Sequence, residues 1–299
     1  MYDLFVEKIM NQSLRDNKYA PIGVFDSGVG GLTVAREIMR QLPRERIVYF
    51  GDTARVPYGS KSRETILRYS RQIIHFLESK GVKAIVVACN TASAYALEGL
   101  RPEMKIPIIG VVKPGAKVAA AATRNGKIGV IGTEGTIASQ IYTEMIRRHN
   151  PDAVVVGKAC PLFVPLVEEG WLKDPITIEV ARRYLASFQE TGIDTLILGC
   201  THYPLLRSVV RDIMGLGVEL VNPAYETALG LGRLLEECGL SNDSAGPRME
   251  RGQSNGSANP QDAPMYQFYV SDAAEKFKNF ANSILPCEIK EAQLIQIEE

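Results

Sequence analysis

Two cysteines occupy matching places in this chain. Cys89 ends the run Gly81-Val-Lys-Ala-Ile-Val-Val-Ala-Cys89, and Cys200 ends Gly192-Ile-Asp-Thr-Leu-Ile-Leu-Gly-Cys200. Each run begins with a glycine suited to ending a helix and continues as a short apolar strand. The glycine-to-cysteine distance is eight residues in both. A cysteine after an apolar strand is ordinarily a core residue. Two at repeated positions, followed by Asn90-Thr91 and Thr201-His202, point instead to chemistry. Placed just before helices, both thiols would meet free N–H groups and the positive dipole end, which lowers a thiol pKa below its free value of about 8.5. Two such thiols facing one pocket suit the inversion of a stereocentre. One, as thiolate, removes a proton from Cα, and the other, as thiol, delivers one to the opposite face. Acyl transfer by Cys200 with His202, as in an amidase or hydrolase, is the competing chemistry, but it leaves Cys89 unexplained. A non-catalytic amino-acid-binding module is a further alternative.

These residues need elements that hold them. Short apolar runs alternate with helical patterns, and the expected strands include 21–25, 47–50, 84–88, 106–112, 128–131, 153–156, 196–198, 218–221 and 266–270. One helix is expected after Ser62, with Ile66, Tyr69, Ile73 and Leu77 on one face. Another follows Asp174-Pro175, a cap and a first-turn proline, with Ala181, Tyr184, Leu185 and Phe188 on its stripe. Helices are also expected over 224–238 and 271–284. Alternation of this kind means α/β structure with mainly parallel sheets. The repeat extends upstream, where Ile22-Gly-Val-Phe-Asp-Ser27 resembles Ile128-Gly-Val-Ile-Gly-Thr133, and downstream to Pro114 and Pro223. The expected architecture is therefore two similar α/β domains related by a pseudo-two-fold, with the active site in the cleft between them. The division is 1–20 as an N-terminal extension, 21–113 plus 224–299 as the first domain with a polar insert at 241–264, and 114–223 as the second.

In such sheets ligands bind beyond the carboxyl ends of the strands. The Asp26-Ser-Gly-Val-Gly-Gly31 turn lies at one of those ends and is suited to cradling an anion such as a substrate carboxylate on its amides. It is not a dinucleotide fingerprint, since Thr33 stands where the last glycine belongs. The chain has 299 residues, 45% hydrophobic and 23% charged, with zero net charge and no basic stripe. This composition argues against nucleic-acid and membrane partners. No 18-residue apolar run and no secretory signal are visible. Five scattered cysteines without a CxxC pair oppose a disulfide framework and a metal site. A cytoplasmic protein with free thiols is expected. Cys160, Cys238 and Cys287 read as structural, His75 and His149 as surface or satisfied residues, and Trp171 as a lid or packing residue.

On the stretches GVFDSGVGGLTV (23–34), YFGDTARVPYGSKS (49–62), VVACNTAS (86–93), IGVIGTEGTIAS (128–139), CPLFVPLVEEG (160–170) and LGCTHYPLL (199–206), in that order, the chain resembles the glutamate racemases of the aspartate/glutamate racemase family. The resemblance implies a two-domain α/β fold, no cofactor, and interconversion of L- and D-glutamate for peptidoglycan synthesis. It implies Cys89 and Cys200 as the catalytic pair, Asp26 assisting Cys89, and Glu168 and His202 assisting Cys200. Substrate contacts are implied at Asp26, Ser27, Tyr58, Gly59, Asn90, Thr91, Thr136, Thr201 and His202. Aspartate racemisation on the same architecture is the sister alternative; a one-cysteine decarboxylase of similar fold is disfavoured by the second thiol. The 241–264 insert departs from the short connection expected there. The N-terminal extension resembles, in length, members activated by UDP-N-acetylmuramoyl-L-alanine. Either a monomer or a homodimer is compatible with the sequence.

Overall fold

The computed structural model describes residues 18–242 and 264–297. Most of the N-terminal extension and of the polar insert therefore lies outside the described residues. Among the described residues ten strands form two sheets, and every strand pair is parallel. The first sheet holds β1 (Ile22–Asp26), β2 (Ile47–Gly51), β3 (Ala84–Val87) and β4 (Ile108–Gly110). The second holds β5 (Lys127–Gly132), β6 (Val154–Ala159), β7 (Thr195–Gly199) and β8 (Glu219–Val221). The late strands β9 (Tyr266–Val270) and β10 (Gln293–Leu294) extend the first sheet beyond β2. The orders β2-β1-β3-β4 and β6-β5-β7-β8 are the same, so the repeat seen in the sequence is a repeat of topology. Cys89 and Cys200 follow corresponding strands, β3 and β7.

Local chemistry explains the elements. β1, β2, β3 and β7 are buried along their whole length, as parallel strands covered on both faces must be. Ser62 Oγ accepts from Thr65 N at the start of helix Arg63–Ser79, which buries Ile66, Ile73, Ile74 and Leu77. Asp174 Oδ1 accepts from Ile176 N at 2.8 Å before helix Pro175–Thr191. The glycines opening both repeats, Gly81 and Gly192, have φ of 68° and 67°, the left-handed region that ends a helix at little cost only for glycine.

Three features depart from expectation. β10 is short and exposed, with too little apolar pattern to announce a strand. The last helix runs Ala274–Ile284 rather than starting at Ser271. Ser271 instead donates to Asp52 Oδ1 at 2.9 Å, and Asp272 joins Thr53 through two hydrogen bonds. Lys83, a charged residue just before the expected strand 84–88, is fully buried. It pairs with Glu45 at 2.5 Å and donates to the carbonyls of Lys18 and Leu240. Such a charge is tolerable inside because a carboxylate and two carbonyls surround it.

The last helix ties the two units together. Phe277 is fully buried against Tyr49 and Phe268 under the first sheet, a burial worth roughly 2–3 kcal/mol. Phe280, one turn on, packs against the cores of both units.

Candidate active site

The carboxyl ends of β1, β3, β5 and β7 surround a cavity of about 340 Å³. The first unit contributes Ser27, Gly28, Tyr58, Gly59, Cys89, Asn90 and Thr91. The second contributes Thr133, Glu134, Glu168, Cys200, Thr201 and His202. Val56, Pro57, Pro161, Val164 and Pro165 make an apolar wall. Both cysteines, one from each unit, thus line a single space, and each is 6% exposed. Of the sequence-derived candidates, Asp26 and Thr136 alone stand behind the cavity wall. Both are almost completely buried.

The two sulfurs have opposite electrical surroundings. Cys89 caps the short helix Asn90–Tyr95, its Sγ accepting from Ala92 N at 3.5 Å and lying 3.6 Å from Ser27 Oγ. The expected helix-terminus effect is therefore present, but it loses. Burial, reinforced by the Asp26 carboxylate, pushes the Cys89 thiol up to about 12. Desolvation of a thiolate outweighs one or two hydrogen bonds. Asp26 is itself held above the ordinary carboxylate range by burial, against the pull of His202 and of the Gly31 and Gly28 amides.

Cys200 does not precede an α-helix directly. A 3₁₀ turn, Tyr203–Leu206, intervenes before helix Arg207–Met214. Its Sγ stands 3.8 Å from His202 Nδ1, and His202 Nε2 lies 3.1 Å from Glu168 Oε1. Burial disfavours a charged imidazole, yet the hydrogen bonds to Cys200 and Glu168, with the fields of Cys200 and Asp26, raise His202 to about 10. Glu168 is held low, chiefly by its hydrogen bond to His202. A protonated imidazole thus faces Cys200, where a buried carboxylate faces Cys89.

The glycine-rich turn has a different purpose from the one its composition suggests. Its amides serve an anion of this chain, because Gly28 N donates to Asp26 Oδ2 at 2.9 Å and Gly31 also bonds Asp26. The remaining space is occupied by the other unit. A methyl group on Gly30 would lie 2.3 Å from Thr201 Oγ1 and 2.5 Å from His202 Cε1 and Nδ1. Thr33 Oγ1 donates to the Thr201 carbonyl at 2.8 Å, and Thr201 Oγ1 reaches Asp26 Oδ1 at 3.5 Å. The turn after β1 is the seat on which the Cys200–His202 segment rests.

A second seat lies opposite. Gly59 meets Thr133 so closely that a Cβ would lie 2.8 Å from the threonine Cβ. Beside it, the hydroxyls of Thr91, Thr133 and Thr136 form a triangle with sides of 2.9, 3.2 and 3.0 Å. Tyr58 is fixed by Asp52, which accepts from Tyr58 Oη at 2.5 Å, from Arg55 Nε and from Ser271 Oγ. Thr133, Glu134 and Asp52 were not singled out from the sequence. Thr133 had a signal, since it aligns in the repeat with Ser27, but the pairing inside the GDTARVPYG stretch had none. Cys160 is buried away from the cavity with its thiol pushed up to about 12, chiefly by burial. His75 and His149 are exposed, and Trp171 is 45% exposed.

Comparisons with known proteins bear on this arrangement. The family model described as Asp/Glu/Hydantoin racemase matches residues 22–228. A glutamate racemase of Geobacter metallireducens is 48% identical over 277 residues, covering 93% of this chain and 97% of that protein. A crystal structure of glutamate racemase from Francisella tularensis in complex with D-glutamate is similar, with a TM-score of 0.81 and 38% identity over 94% of this chain and 99% of that one. So is the Escherichia coli glutamate racemase solved with L-glutamate and the activator UDP-MurNAc-Ala, with a TM-score of 0.74 and 28% identity over 94% and 100% of the two chains.

Proposed function

The chain belongs to the Asp/Glu/Hydantoin racemase family and is an isomerase, and on that premise we propose that it interconverts L- and D-glutamate with Cys89 and Cys200 as paired acid and base. The observation that carries this reading is that both thiols line one cavity, at corresponding strand ends of two equivalent sheets. Glutamate is favoured by the relatives, which share 44–48% of their residues with this chain.

The asymmetry of the site suggests which form rests. With its thiol near 12, Cys89 begins as the acid. Negative charge on Cys200 is met by the His202 imidazolium, so Cys200 begins as the base. Cys200 removes the Cα proton while Cys89 protonates the opposite face. The enzyme is left with Cys89 as thiolate and Cys200 as thiol, the form that runs the reverse reaction. Asp26 and the His202–Glu168 pair then serve in moving the protons that restore the first form. The carbanion-like transition state requires donors fixed in advance, and Ser27, Thr91 and Thr201 supply them around the cavity, while Asn90 serves in binding the substrate. Such a reaction needs only groups that this chain carries.

The test is a stereochemical one. Cys89→Ser and Cys200→Ser should each remove racemisation of both glutamate enantiomers by at least about 10³-fold while leaving thermal unfolding unchanged. In D2O, early turnover should label Cα of the product and leave recovered substrate unlabelled. Equal labelling of both would mean one base serves both faces. The linked Cys200, His202 and Glu168 also have the order of nucleophile, base and orienting acid, which keeps a hydrolase reading alive. Release of ammonia from glutamine would support it, and loss of optical activity from glutamate without such release would dismiss it. Parallel runs on aspartate address the sister substrate.

In a cell, this activity would supply D-glutamate for peptidoglycan. Among the described residues no helix is long and apolar enough to cross a membrane, in keeping with a cytoplasmic role. Activation by UDP-N-acetylmuramoyl-L-alanine, as for the Escherichia coli relative, would appear as a rise in kcat/KM when that nucleotide is added.

A further inference from the structure

Tyr142 lies outside the cavity wall, yet it touches both cysteine-bearing strand ends. It sits on helix Ile141–Arg147 of the second unit and is 3% exposed. Its ring lies against Gly199, the residue before Cys200, so closely that a Cβ there would meet Tyr142 Cε2 at 3.2 Å. Its hydroxyl crosses to the first unit and donates to Asn90 Oδ1 at 2.7 Å. Asn90 is the residue after Cys89, and it lines the cavity. Burial pushes the phenol far above its ordinary range, so it remains an O–H donor at every working pH.

A carboxamide has one acceptor end and one donor end. With Oδ1 held by Tyr142, the NH2 is the end left for the cavity. We propose that Tyr142 is a positioning residue that locks the Asn90 carboxamide with its donor end toward the substrate carboxylate. By resting on Gly199, it sets that donor in register with the Cys200 strand. The inference rests on the racemase reading of this cavity. Without the lock, the amide can turn and present its oxygen to a carboxylate, a repulsive contact at the moment of binding.

The test is a double-mutant cycle of Tyr142→Phe and Asn90→Ala, read by circular dichroism with each enantiomer. Wild type is assayed first on glutamate and then on aspartate, and the cycle is run on whichever inverts. Failure of the glutamate assignment is thus seen before, and separately from, failure of this inference. Tyr142→Phe keeps the ring on Gly199 and removes only the hydroxyl. KM should rise about tenfold for both enantiomers, the loss expected for one hydrogen bond to a charged group. Because enantiomers are equal in free energy, kcat/KM must fall equally in both directions, and kcat should stay within about twofold. Adding Tyr142→Phe to Asn90→Ala should change KM no further. A merely structural tyrosine would lower thermal stability without this pattern. The proposal is overturned if KM stays within twofold of wild type in either single variant, if kcat falls with KM unchanged, or if the two effects multiply. Should Tyr142→Phe fail to fold, Asn90→Ala alone still decides, since a wild-type KM there removes the donor on which the proposal depends.

Discussion

Replacing Gly30 by alanine tests whether the seat under Thr201 and His202 sets the catalytic geometry. Gly30 does not have a positive φ, so alanine brings no backbone strain. Its methyl carbon, however, would lie 2.3 Å from Thr201 Oγ1 and 2.5 Å from two His202 ring atoms, where ordinary contact begins at 3.4 Å. The Thr201–His202 segment must therefore retreat by about 1 Å. That movement carries His202 away from the 3.8 Å contact with Cys200 and loosens the Thr33 hydrogen bond to the Thr201 carbonyl. A displacement of 1 Å in a catalytic group costs about 10²-fold in rate, equivalent to about 2.7 kcal/mol on the barrier. Gly99→Ala is the matched control, because its methyl meets only Leu67 at 3.4 Å. Circular-dichroism traces with both glutamate enantiomers would give kcat and KM, with thermal melts run on the same samples. Gly30→Ala activity within threefold of the control, at equal stability, would refute the idea that this close approach positions the second thiol.

The remaining predictions concern charge. His202 is raised in the fold to about 10, against about 6.5 in an unfolded chain, so its contribution to stability is complete below about 6.5 and is lost as pH climbs to about 10. Thermal melts over that window should show a decline that His202→Asn lessens, and an identical slope in the variant would contradict the assignment. Cys89, near 12, leaves about one thiolate in 10⁴ at pH 8. Iodoacetamide labelling of the substrate-free protein, mapped by mass spectrometry, should therefore be slow at Cys89 and rise with pH; rapid labelling at pH 7 would show that the thiol is not suppressed. Lys83→Met should cost about 3–5 kcal/mol in urea unfolding by stranding Glu45, with kcat unchanged in the folded fraction, and a loss below 1 kcal/mol would mean the pair is not important to stability.

Much of this organisation was legible in the chain because it is local. Strand runs, the Ser62 and Asp174 caps, the helix-ending glycines 81 and 192, and the repeated cysteines all depend on neighbours within a few residues. The topology then follows, because parallel strands must be joined by crossovers. What was not legible is contact across the interface between the units. Gly30 reads as part of a turn that cradles a substrate carboxylate, yet its neighbours are Thr201 and His202, more than 170 residues on. Asp52 looked like one polar residue among several. Only the fold brings Tyr58, Arg55 and Ser271 to it. The lowering expected of a thiol before a helix failed at Cys89 for a related reason. A helix terminus is visible in sequence, whereas the burial that overrides it comes from the closure of two units over one space.

That closure also explains why a duplicated plan yields two thiols with unlike neighbours. The repeat supplies two sulfurs at equivalent strand ends, and symmetry alone would give them equal affinities for a proton. On the two-thiol mechanism proposed above, two equal thiols would leave the resting enzyme divided among protonation states, of which only those with one thiolate and one thiol could turn over. Asp26 near one sulfur and His202 near the other make the two surroundings unlike. The carboxylate opposes negative charge on Cys89, and the imidazolium, held by Glu168, attracts it to Cys200. Both helpers belong to the contact in which Asp26, Gly30 and Thr33 of one unit meet Thr201 and His202 of the other. Opening the interface would therefore do more than separate the sulfurs. It would hydrate Asp26 and His202 together, and the proposed division into acid and base would lose the contacts on which it rests.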